Sequence, residues 1–466
     1  MSLYQLPLNR VIERRLCRDF YAATDPSVFG PDGEVSEELC KIDVVQKELG
    51  WIQGAMETAW IVGDFVMAIP LGFIAERYGR RTVLLLNLVP RLCLLVWAVT
   101  VGYFEHLLPT KALLASPMLS ILGGDCVFNS IVYALASDLT EDRLLRASYF
   151  AYMSSTSYVV ALVGPALASA TMTALLWLPF YIGITLLVAS TWVIRTLPPD
   201  QALAVGPESA GSSDSSRQPL ISSPVLKALD ARHSPIQAIT NRFRTMRNIL
   251  TTRPHNFALL LLSMFLTSLA SADTKLLVQY ISKRYNWTFA SAGYLLSGKA
   301  VVNFVLLTII IPRLLAWRSS KRRQDEPQDA IYLTYTKVCI GISILGAMAI
   351  AMSDAIYLLV PSLFLYALGS ALPIFTFSLL KSPAVSPPVD TTSTIQEVAG
   401  LAEETQVFSI VMLVKTLGSL IGAPLVAACW IRGIALGGVS LGLPYLVSAC
   451  CYASAILVVC GMRINE

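Results

Sequence analysis

The sequence has few charged residues for its length. Lysine, arginine, aspartate and glutamate make up 14% of the 466 residues, whereas 55% are hydrophobic, and the mean hydropathy is +0.61. Soluble domains carry about 25% charged residues, which excludes an ordinary soluble protein. Apolar runs of about 20 residues recur along the chain, each long enough as a helix to cross a bilayer. The composition therefore predicts a polytopic, all-α membrane protein surrounded by lipid.

Several chemical motifs are also missing. There are only three histidines and no CxxC pair or His/Cys cluster, so no metal site is expected. No P-loop is found, which argues against an ATP-driven pump, and no loop holds a nucleophile, a base and an acid together. Basic residues are scattered rather than clustered with aromatics, which excludes nucleic acid as a partner. We therefore expect no catalytic residue and no bound cofactor.

The apolar runs fall into two sets. Residues 1–50 are polar, show no signal-peptide pattern, and are predicted to form an extracellular N-terminal segment. Residues 51–194 hold five apolar spans, and residues 255–466 hold six more. Residues 195–254 are rich first in Ser, Pro and Gly and then in Arg, which predicts a partly disordered cytoplasmic linker. The prediction is two helical bundles with about eleven transmembrane helices.

A block of glycine and charge separates the first two spans. Residues 72–81 read GFIAERYGRR, with two glycines, an acid and three bases at fixed spacing. This block resembles the signature loop of the major facilitator superfamily (MFS), with glutamate at the position where aspartate is commoner. The resemblance implies the MFS fold and a gating function for this loop. The residues that match are Gly72, Glu76, Arg77, Gly79, Arg80 and Arg81.

The resemblance also implies that a helix is missing. In this family the signature loop joins the second and third helices, but only one apolar span precedes it here. The first of the usual twelve helices is therefore expected to lack its body, and residues 7–21 resemble its outer end. Two explanations stay open: a coding sequence that begins further upstream, or a shortened and inactive paralogue.

Loop charges predict the orientation in the membrane. Placing the signature-loop arginines in the cytoplasm puts the linker inside and residues 1–50 and 283–288 outside. The sequence Asn286-Trp287-Thr288 is then an external glycosylation site. Cys17 and Cys40 flank a polar stretch on the same side, where a disulfide is a candidate.

Charged side chains within the spans are candidates for the transport site, because each costs at least about 2.5 kcal/mol to insert. Among these charges within the spans, acids are in excess in the first half of the chain and lysines in the second. We predict that Asp64 or Asp125 takes up a coupling proton, that Arg91 acts as the switch, and that Lys299 and Lys415 hold an acidic or polar solute. The proton-coupling candidates are Asp64, Asp125, Glu57 and Arg91. The substrate-binding candidates are Asn129, Lys299, Asn303, Lys415 and Asp273. The alternative is that these charges form structural ion pairs with no role in turnover.

Two further motifs resemble MFS features. Residues 138–146 resemble the second intracellular loop, which gives Asp138 and Arg146 a predicted role in gating through an ion pair from Arg77 or Arg80 to Asp138. Gly164-Pro165 resembles the core of the antiporter motif of drug-efflux facilitators, and proline at this position predicts a helix kink. The alternative is a kink that serves packing alone.

Residues 7–21, Cys40 and the signature loop together resemble fungal facilitators distantly similar to proton-coupled folate and drug-efflux transporters. This resemblance implies export of a metabolite or toxin that is driven by the proton gradient. We further expect a monomer in the plasma membrane. A vacuolar or other endomembrane remains open as the location. Proton-coupled uptake and a transport-inactive sensor remain open as functions, and no residue identifies the substrate.

Overall fold

The computed structural model describes residues 3–31, 33–105, 107–138, 143–196, 255–311, 313–314, 317, 328–380 and 394–462. Within these ranges the regular secondary structure is entirely helical, which confirms the all-α prediction. The predicted linker falls almost wholly outside them. The helices of the first half are α1 (Gln5–Thr24), α2 (Asp43–Tyr78), α3 (Arg80–Tyr103), α4 (Asp125–Asp138), α5 (Arg143–Ala174) and α6 (Leu178–Thr196). Those of the second half are α7 (His255–Ala270), α8 (Asp273–Tyr285), α9 (Phe289–Val305), α10 (Gln328–Met352), α11 (Ile356–Leu368), α12 (Leu372–Leu380), α13 (Thr394–Leu436) and α14 (Leu443–Cys460).

The predicted spans coincide with these helices. A 3₁₀ segment, Thr110–Leu122, precedes α4 and supplies the first part of the third predicted span. Two other spans are each divided, one between α7 and α8 and one between α11 and α12. Among the described residues, eight helices or helix pairs are long and apolar enough to cross a membrane.

In the structure, the residues of the signature loop belong to helices α2 and α3, apart from one turn residue. Gly79 alone separates α2 from α3, and its backbone φ of 92° lies in the region that only glycine adopts without strain. The chain therefore reverses direction at Gly79. The side chains of Glu76 and Arg77, and the surroundings of Gly72, lie outside the described part of the structure.

The N-terminal segment folds against both halves. Helix α1 corresponds to the residues predicted to resemble the outer end of a first helix, and it contacts α2, α5 and α9. Cys17 on α1 is joined by a disulfide to Cys40, with Cα atoms 5.3 Å apart. We call this end of the molecule the disulfide end.

A buried ionic cluster lies beside this disulfide. The Glu13 carboxylate accepts hydrogen bonds from Lys41 Nζ at 2.7 Å and from the Gln46 side chain at 2.6 Å, and all three side chains are buried. Nearer the surface, hydrogen bonds from Arg14 hold the pKa of Glu34 below its usual value. The cluster and the disulfide together fix the segment against α2.

Removing the disulfide is expected to loosen this segment. The two cysteines are 23 residues apart in sequence, and closing a loop of that size stabilises a fold by about 3 kcal/mol in the chain-entropy view. A Cys17→Ser/Cys40→Ser variant should therefore melt at a lower temperature in detergent, and wild-type protein should shift similarly in reductant. Cys450→Ser, which removes an exposed free cysteine, is the matched control. Equal melting of the two variants would contradict the expectation.

The two halves pack through two helix pairs, α2 with α13 and α5 with α9. Small residues allow the close approach of the first pair. A Cβ atom built on Gly50 would lie 2.6 Å from the Trp430 ring, and one on Gly54 would lie 2.4 Å from the Ala427 Cβ. Similarly, a Cβ on Gly293 of α9 would lie 2.1 Å from Ser169 Oγ of α5. Larger residues at these glycines would force the halves apart.

Candidate functional site

Asp64 lies buried inside the first half, at the start of α4. Its carboxylate accepts a hydrogen bond from the backbone N–H of Cys126, at 3.1 Å for the nearer oxygen. The positive end of a helix macrodipole at this point favours an anion. A Cβ atom on Gly124 would lie only 2.1 Å from Asp64 Oδ1, so glycine is needed for the carboxylate to reach the helix.

The neighbouring glycine brings α3 to the same point. Asn87 Nδ2 donates to the Gly124 carbonyl at 2.8 Å, and a Cβ on Gly123 would lie 2.5 Å from the same nitrogen. Gly123 and Gly124 therefore let α2 and α3 close over the beginning of α4. The sequence interpretation did not include Asn87 or these glycines in the site, although a Gly-Gly-Asp sequence at a helix start is a usable signal.

Arg91 of α3 forms an ion pair with Asp125, the first residue of α4. The Arg91 guanidinium also lies 5.2 Å from the centroid of the Phe128 ring. The pair lies near Asp64, since both charges act on its carboxylate. The structure thus brings together three of the four predicted proton-coupling residues. Asn129 is exposed one helical turn after Asp125.

Tyr4 belongs to this group and was missed by the sequence interpretation. Its side chain is buried, with 7% of its surface exposed, and it lies within electrostatic range of Arg91, Asp125 and Glu57. It belongs to the polar N-terminal segment, where the sequence predicts no proton-coupling or substrate-binding residue. Its position at the start of α1, which packs between the halves, could not be read from local composition.

Glu57, the fourth proton-coupling candidate, connects the two halves. Its carboxylate lies 3.2 Å from Lys275 Nζ of α8. Glu57 and Asp64 are seven residues apart on α2, about two helical turns, a spacing that favours one face of the helix. Their partners nevertheless differ, because Glu57 lies opposite α8 whereas Asp64 lies against α4.

Reversing this ion pair tests whether it holds the halves together. Glu57→Lys is expected to weaken the contact between α2 and α8 because two lysines would then face each other. Both partners are partly exposed, so the effect should be about 1 kcal/mol. Amide hydrogen exchange of α8 should rise in the single variant and return towards wild type in Glu57→Lys/Lys275→Glu. Absence of recovery in the double variant would show that the pair does not hold α8 against α2.

In the second half, Asp273 is fully buried. The Tyr366 hydroxyl donates to its carboxylate at 2.9 Å and lies 3.3 Å from the Tyr452 hydroxyl. Lys299 Nζ lies 5.2 Å from the centroid of the Tyr366 ring. Asp273 therefore lies within the second bundle in this conformation, and its carboxylate is not accessible to a solute. Lys299 is directed towards the same cluster.

Lys415 of α13 has a different environment. Its side chain is partly buried, and its Nζ lies 5.1 Å from the centroid of the Phe377 ring. No carboxylate of the described residues lies within ion-pair distance of it. Asn303 of α9 likewise keeps a buried side-chain oxygen without a hydrogen-bond partner in the described structure.

Most of the predicted charged residues lie near a residue of opposite charge in the structure. Asp125 pairs with Arg91, Glu57 pairs with Lys275 across the interface, and Lys299 lies within electrostatic range of Asp273. Of the charges predicted from sequence, Asp64, Asp273, Lys299 and Lys415 make no ion-pair contact among the described side chains, and Asp64 lies within electrostatic range of Arg91. In the described structure the first half therefore keeps one acid, and the second half one acid and two bases, without a contacting counter-charge.

The structure describes the predicted gating loops, helix kink and glycosylation site only in part. Arg81 donates to the Arg195 carbonyl, joining α3 to α6. The side chains of Asp138 and Arg146 lie outside the described part, so the predicted gating ion pair stays a prediction.

Pro165, next to Gly164, lies inside α5. Asn286 is exposed and ends α8 with a left-handed φ of 54°. No cluster suited to a metal ion occurs among the described residues.

The sequence profile of the Major Facilitator Superfamily matches residues 42–423. Similar curated proteins include an MFS efflux pump, atnC, of Emericella nidulans, which is 24% identical over 467 residues, covering 100% of this chain and 85% of that protein. The efflux pump ustT of Aspergillus flavus is also 24% identical, over 93% of this chain and 79% of its own length.

Solved structures show the same fold. The human organic anion transporter MFSD10 aligns with a TM-score of 0.56 at 16% identity, covering 98% of each chain. The nucleoside transporter NupG aligns with a TM-score of 0.58 at 14% identity over the full length of both chains. Together with the apolar helices, these matches identify an integral, multi-pass membrane protein. The chain belongs to the Major Facilitator Superfamily and is a transporter of that family.

Proposed function

We propose that the chain exports a small organic solute, acidic in character, and that it uses the proton gradient to do so by alternating access between its halves. The observation that carries this proposal is that Asp64 in the first half and Lys415 in the second have no ion-pair partner among the described side chains. Similar proteins named as efflux pumps support the direction.

Asp64 is suited to bind and release a proton. It is buried, and its carboxylate has backbone N–H donors but no cationic side chain in ion-pair contact among the described residues. Such a group responds to small changes around it, since burial favours the neutral form and the helix N-terminus favours the anion. The Arg91–Asp125 pair beside it is the element whose rearrangement would shift this balance.

Lys415 is suited to attract the solute. A partly buried ammonium group without a counter-ion is unfavourable and favours an incoming anion. The nearby Phe377 ring offers an apolar surface to the same solute. A carboxylate on an aromatic or otherwise apolar body would satisfy both.

The same charges favour a second candidate function. If Asp64 is neutralised by a proton, the positive charge of Lys415 is no longer offset by that carboxylate, so proton binding would favour anion binding. This is the linkage expected of cotransport rather than exchange. Proton–anion cotransport is therefore the alternative that the experiment must separate.

Purified protein in proteoliposomes can separate the two mechanisms. The probes are 5-carboxyfluorescein, an impermeant organic anion, and rhodamine 6G, a cation. With an imposed pH gradient, exchange accumulates carboxyfluorescein in the acidic compartment, whereas cotransport accumulates it in the alkaline one. Both outcomes are independent of protein orientation because the gradient alone sets the direction.

Lys415→Gln should lose carboxyfluorescein accumulation. Its matched control is Lys111→Gln, which removes an exposed lysine that pairs with Glu48. Accumulation of rhodamine 6G but not carboxyfluorescein would overturn the assignment of an acidic solute. No accumulation of either dye would argue against gradient-driven transport.

A further inference from the structure

A cavity of about 630 Å³ opens between α2 and α13, on the side of α2 turned away from Glu57. The 3₁₀ segment that precedes α4 forms its third wall. Trp51, Thr58 and Val62 line it from α2, and each lies about 100° or more around the helix from Glu57 at 3.6 residues per turn. Trp51 and Val62 are exposed. The cavity is therefore separate from the charges assigned to transport, and it opens towards lipid.

The walls of this cavity offer almost nothing to water. Small and apolar residues make up most of the lining, among them Gly54, Ala55, Ala427 and Ala428. The hydroxyl of Thr58 is satisfied within α2, because it donates to the Gly54 carbonyl at 2.6 Å. Apolar cavities without unsatisfied polar groups hold hydrocarbon rather than water. The occupant of this cavity should therefore be an apolar chain.

The cavity also has the depth of one leaflet of a bilayer. Trp51 and Val62 are eleven residues apart on α2, and a helix rises about 16 Å over that length. The hydrocarbon core of a bilayer is about 30 Å thick, so each leaflet contributes about 15 Å. Trp51 lies at the disulfide end of the cavity, and tryptophan is enriched where hydrocarbon meets the headgroups. One acyl chain of a lipid in that leaflet would therefore reach along the whole cavity.

Two basic residues extend the lining faces one helical turn further towards the disulfide end. Lys47 precedes Trp51 by four residues on α2, and Arg432 follows Ala428 by four residues on α13. Arg432 is exposed and Lys47 is half-buried, and neither forms an ion pair among the described residues. Two positive charges without a contacting counter-charge therefore lie at the level where the headgroup of such a lipid would be.

We propose that the cavity between α2 and α13 binds one phospholipid, whose acyl chain fills the cavity and whose phosphate lies between Lys47 and Arg432. Lipid chains are as apolar as the walls, so the chain gains only packing contacts over bulk lipid. The preference for a phospholipid comes from the headgroup, because each basic side chain near the membrane surface attracts an anionic group. Glu48 does not cancel this attraction, since it is paired with Lys111.

Lipid binding at this site depends neither on the solute nor on the coupling ion, so it is measured without transport. Purified, delipidated full-length protein in detergent is titrated with palmitoyl-oleoyl phosphatidylglycerol, and native mass spectrometry counts the lipids bound to each molecule. One lipid should bind more tightly than the rest. Palmitoyl-oleoyl glycerol, which has the same chains but no phosphate, should bind at least about tenfold more weakly because it loses the attraction of both bases.

Variants separate the contribution of the chain from that of the headgroup. Ala428→Trp fills the cavity from an exposed position, and steric exclusion of the chain should weaken lipid binding by about tenfold or more. Its matched control, Ala189→Trp, lies at an exposed position of α6 and should bind as wild type does. Arg432→Gln and Lys47→Gln should each weaken binding about fivefold. Lys337→Gln, which removes a half-buried lysine of α10, should have no effect.

Unchanged phosphatidylglycerol binding in Ala428→Trp would overturn the proposal, because the chain would then lie elsewhere. Equal binding of palmitoyl-oleoyl glycerol, or wild-type affinity in both Arg432→Gln and Lys47→Gln, would overturn the assignment of the phosphate. A wild-type dimer without bound lipid that Ala428→Trp disrupts would assign the cavity to a second copy of the chain instead. The two charge variants change only side chains that reach the surface, so they keep the test decisive if Ala428→Trp lowers the melting temperature.

Discussion

Asp64→Asn is expected to abolish gradient-driven accumulation of carboxyfluorescein while leaving the protein folded. Asparagine has nearly the same shape, and its side-chain oxygen still accepts from the Cys126 N–H, so the contact with the start of α4 survives. The variant cannot bind or release a proton, however, and the gradient can no longer drive the solute. The measurement is the steady-state accumulation ratio at a fixed pH gradient.

The matched control for this variant is Glu48→Gln. Glu48 is an exposed carboxylate on the same helix, and it pairs with Lys111 at the surface. Accumulation should be at the wild-type level in this control. If both Asp64→Asn and Asp125→Asn accumulate the dye as wild type does, the coupling proton binds elsewhere.

Gly124→Ala is expected to have the second large effect. The added Cβ would lie 2.1 Å from Asp64 Oδ1 and 2.6 Å from Asp64 Cβ, so the whole side chain must move away from the start of α4. Overpacking of this kind costs about 1–3 kcal/mol. The variant should melt at a lower temperature than wild type and should also lose gradient-driven accumulation, because Asp64 loses its helix N-terminus.

Gly341→Ala provides the control for this substitution. Gly341 lies inside α10, and a Cβ built there meets no atom of the described structure within 4 Å. Alanine is a better helix former than glycine by about 1 kcal/mol, so this variant should melt at or slightly above the wild-type temperature. Equal melting of the two variants would show that the start of α4 tolerates a side chain.

The fold was predictable from the sequence because its determinants are local. Each apolar run is long enough to require a helix, and Gly79 between two such runs marks a sharp turn. The break between α7 and α8 was not predicted, because Ser271 and Ala272 interrupt neither the hydropathy nor the helix propensity strongly. The break is seen only in the folded chain, where a two-residue turn ends α7 and Asp273 begins α8.

The candidate site was predictable in its residue types but not in its pairings. Asp64, Arg91, Lys299 and Lys415 were recognisable because charge inside an apolar span is costly wherever it occurs. Which acid meets which base depends on contacts between residues far apart in sequence. Glu57 with Lys275 is one such contact, and the approach of Tyr4 to Arg91 is another. Hydropathy carries no information about either.

The N-terminal segment contacts the second half as well as the first. Glu37 accepts a hydrogen bond from the backbone N–H of Phe289 at 2.8 Å, and Lys41 Nζ lies 4.4 Å from the centroid of the Phe289 ring. The nearby Lys283–Asp43 pair has a mostly exposed carboxylate, which dissolved salt can screen. Opening of the disulfide end should therefore become easier as ionic strength rises in the solution that bathes that end. Salt on the opposite side of the membrane should have no such effect, so the transport cycle would depend on which compartment is saline.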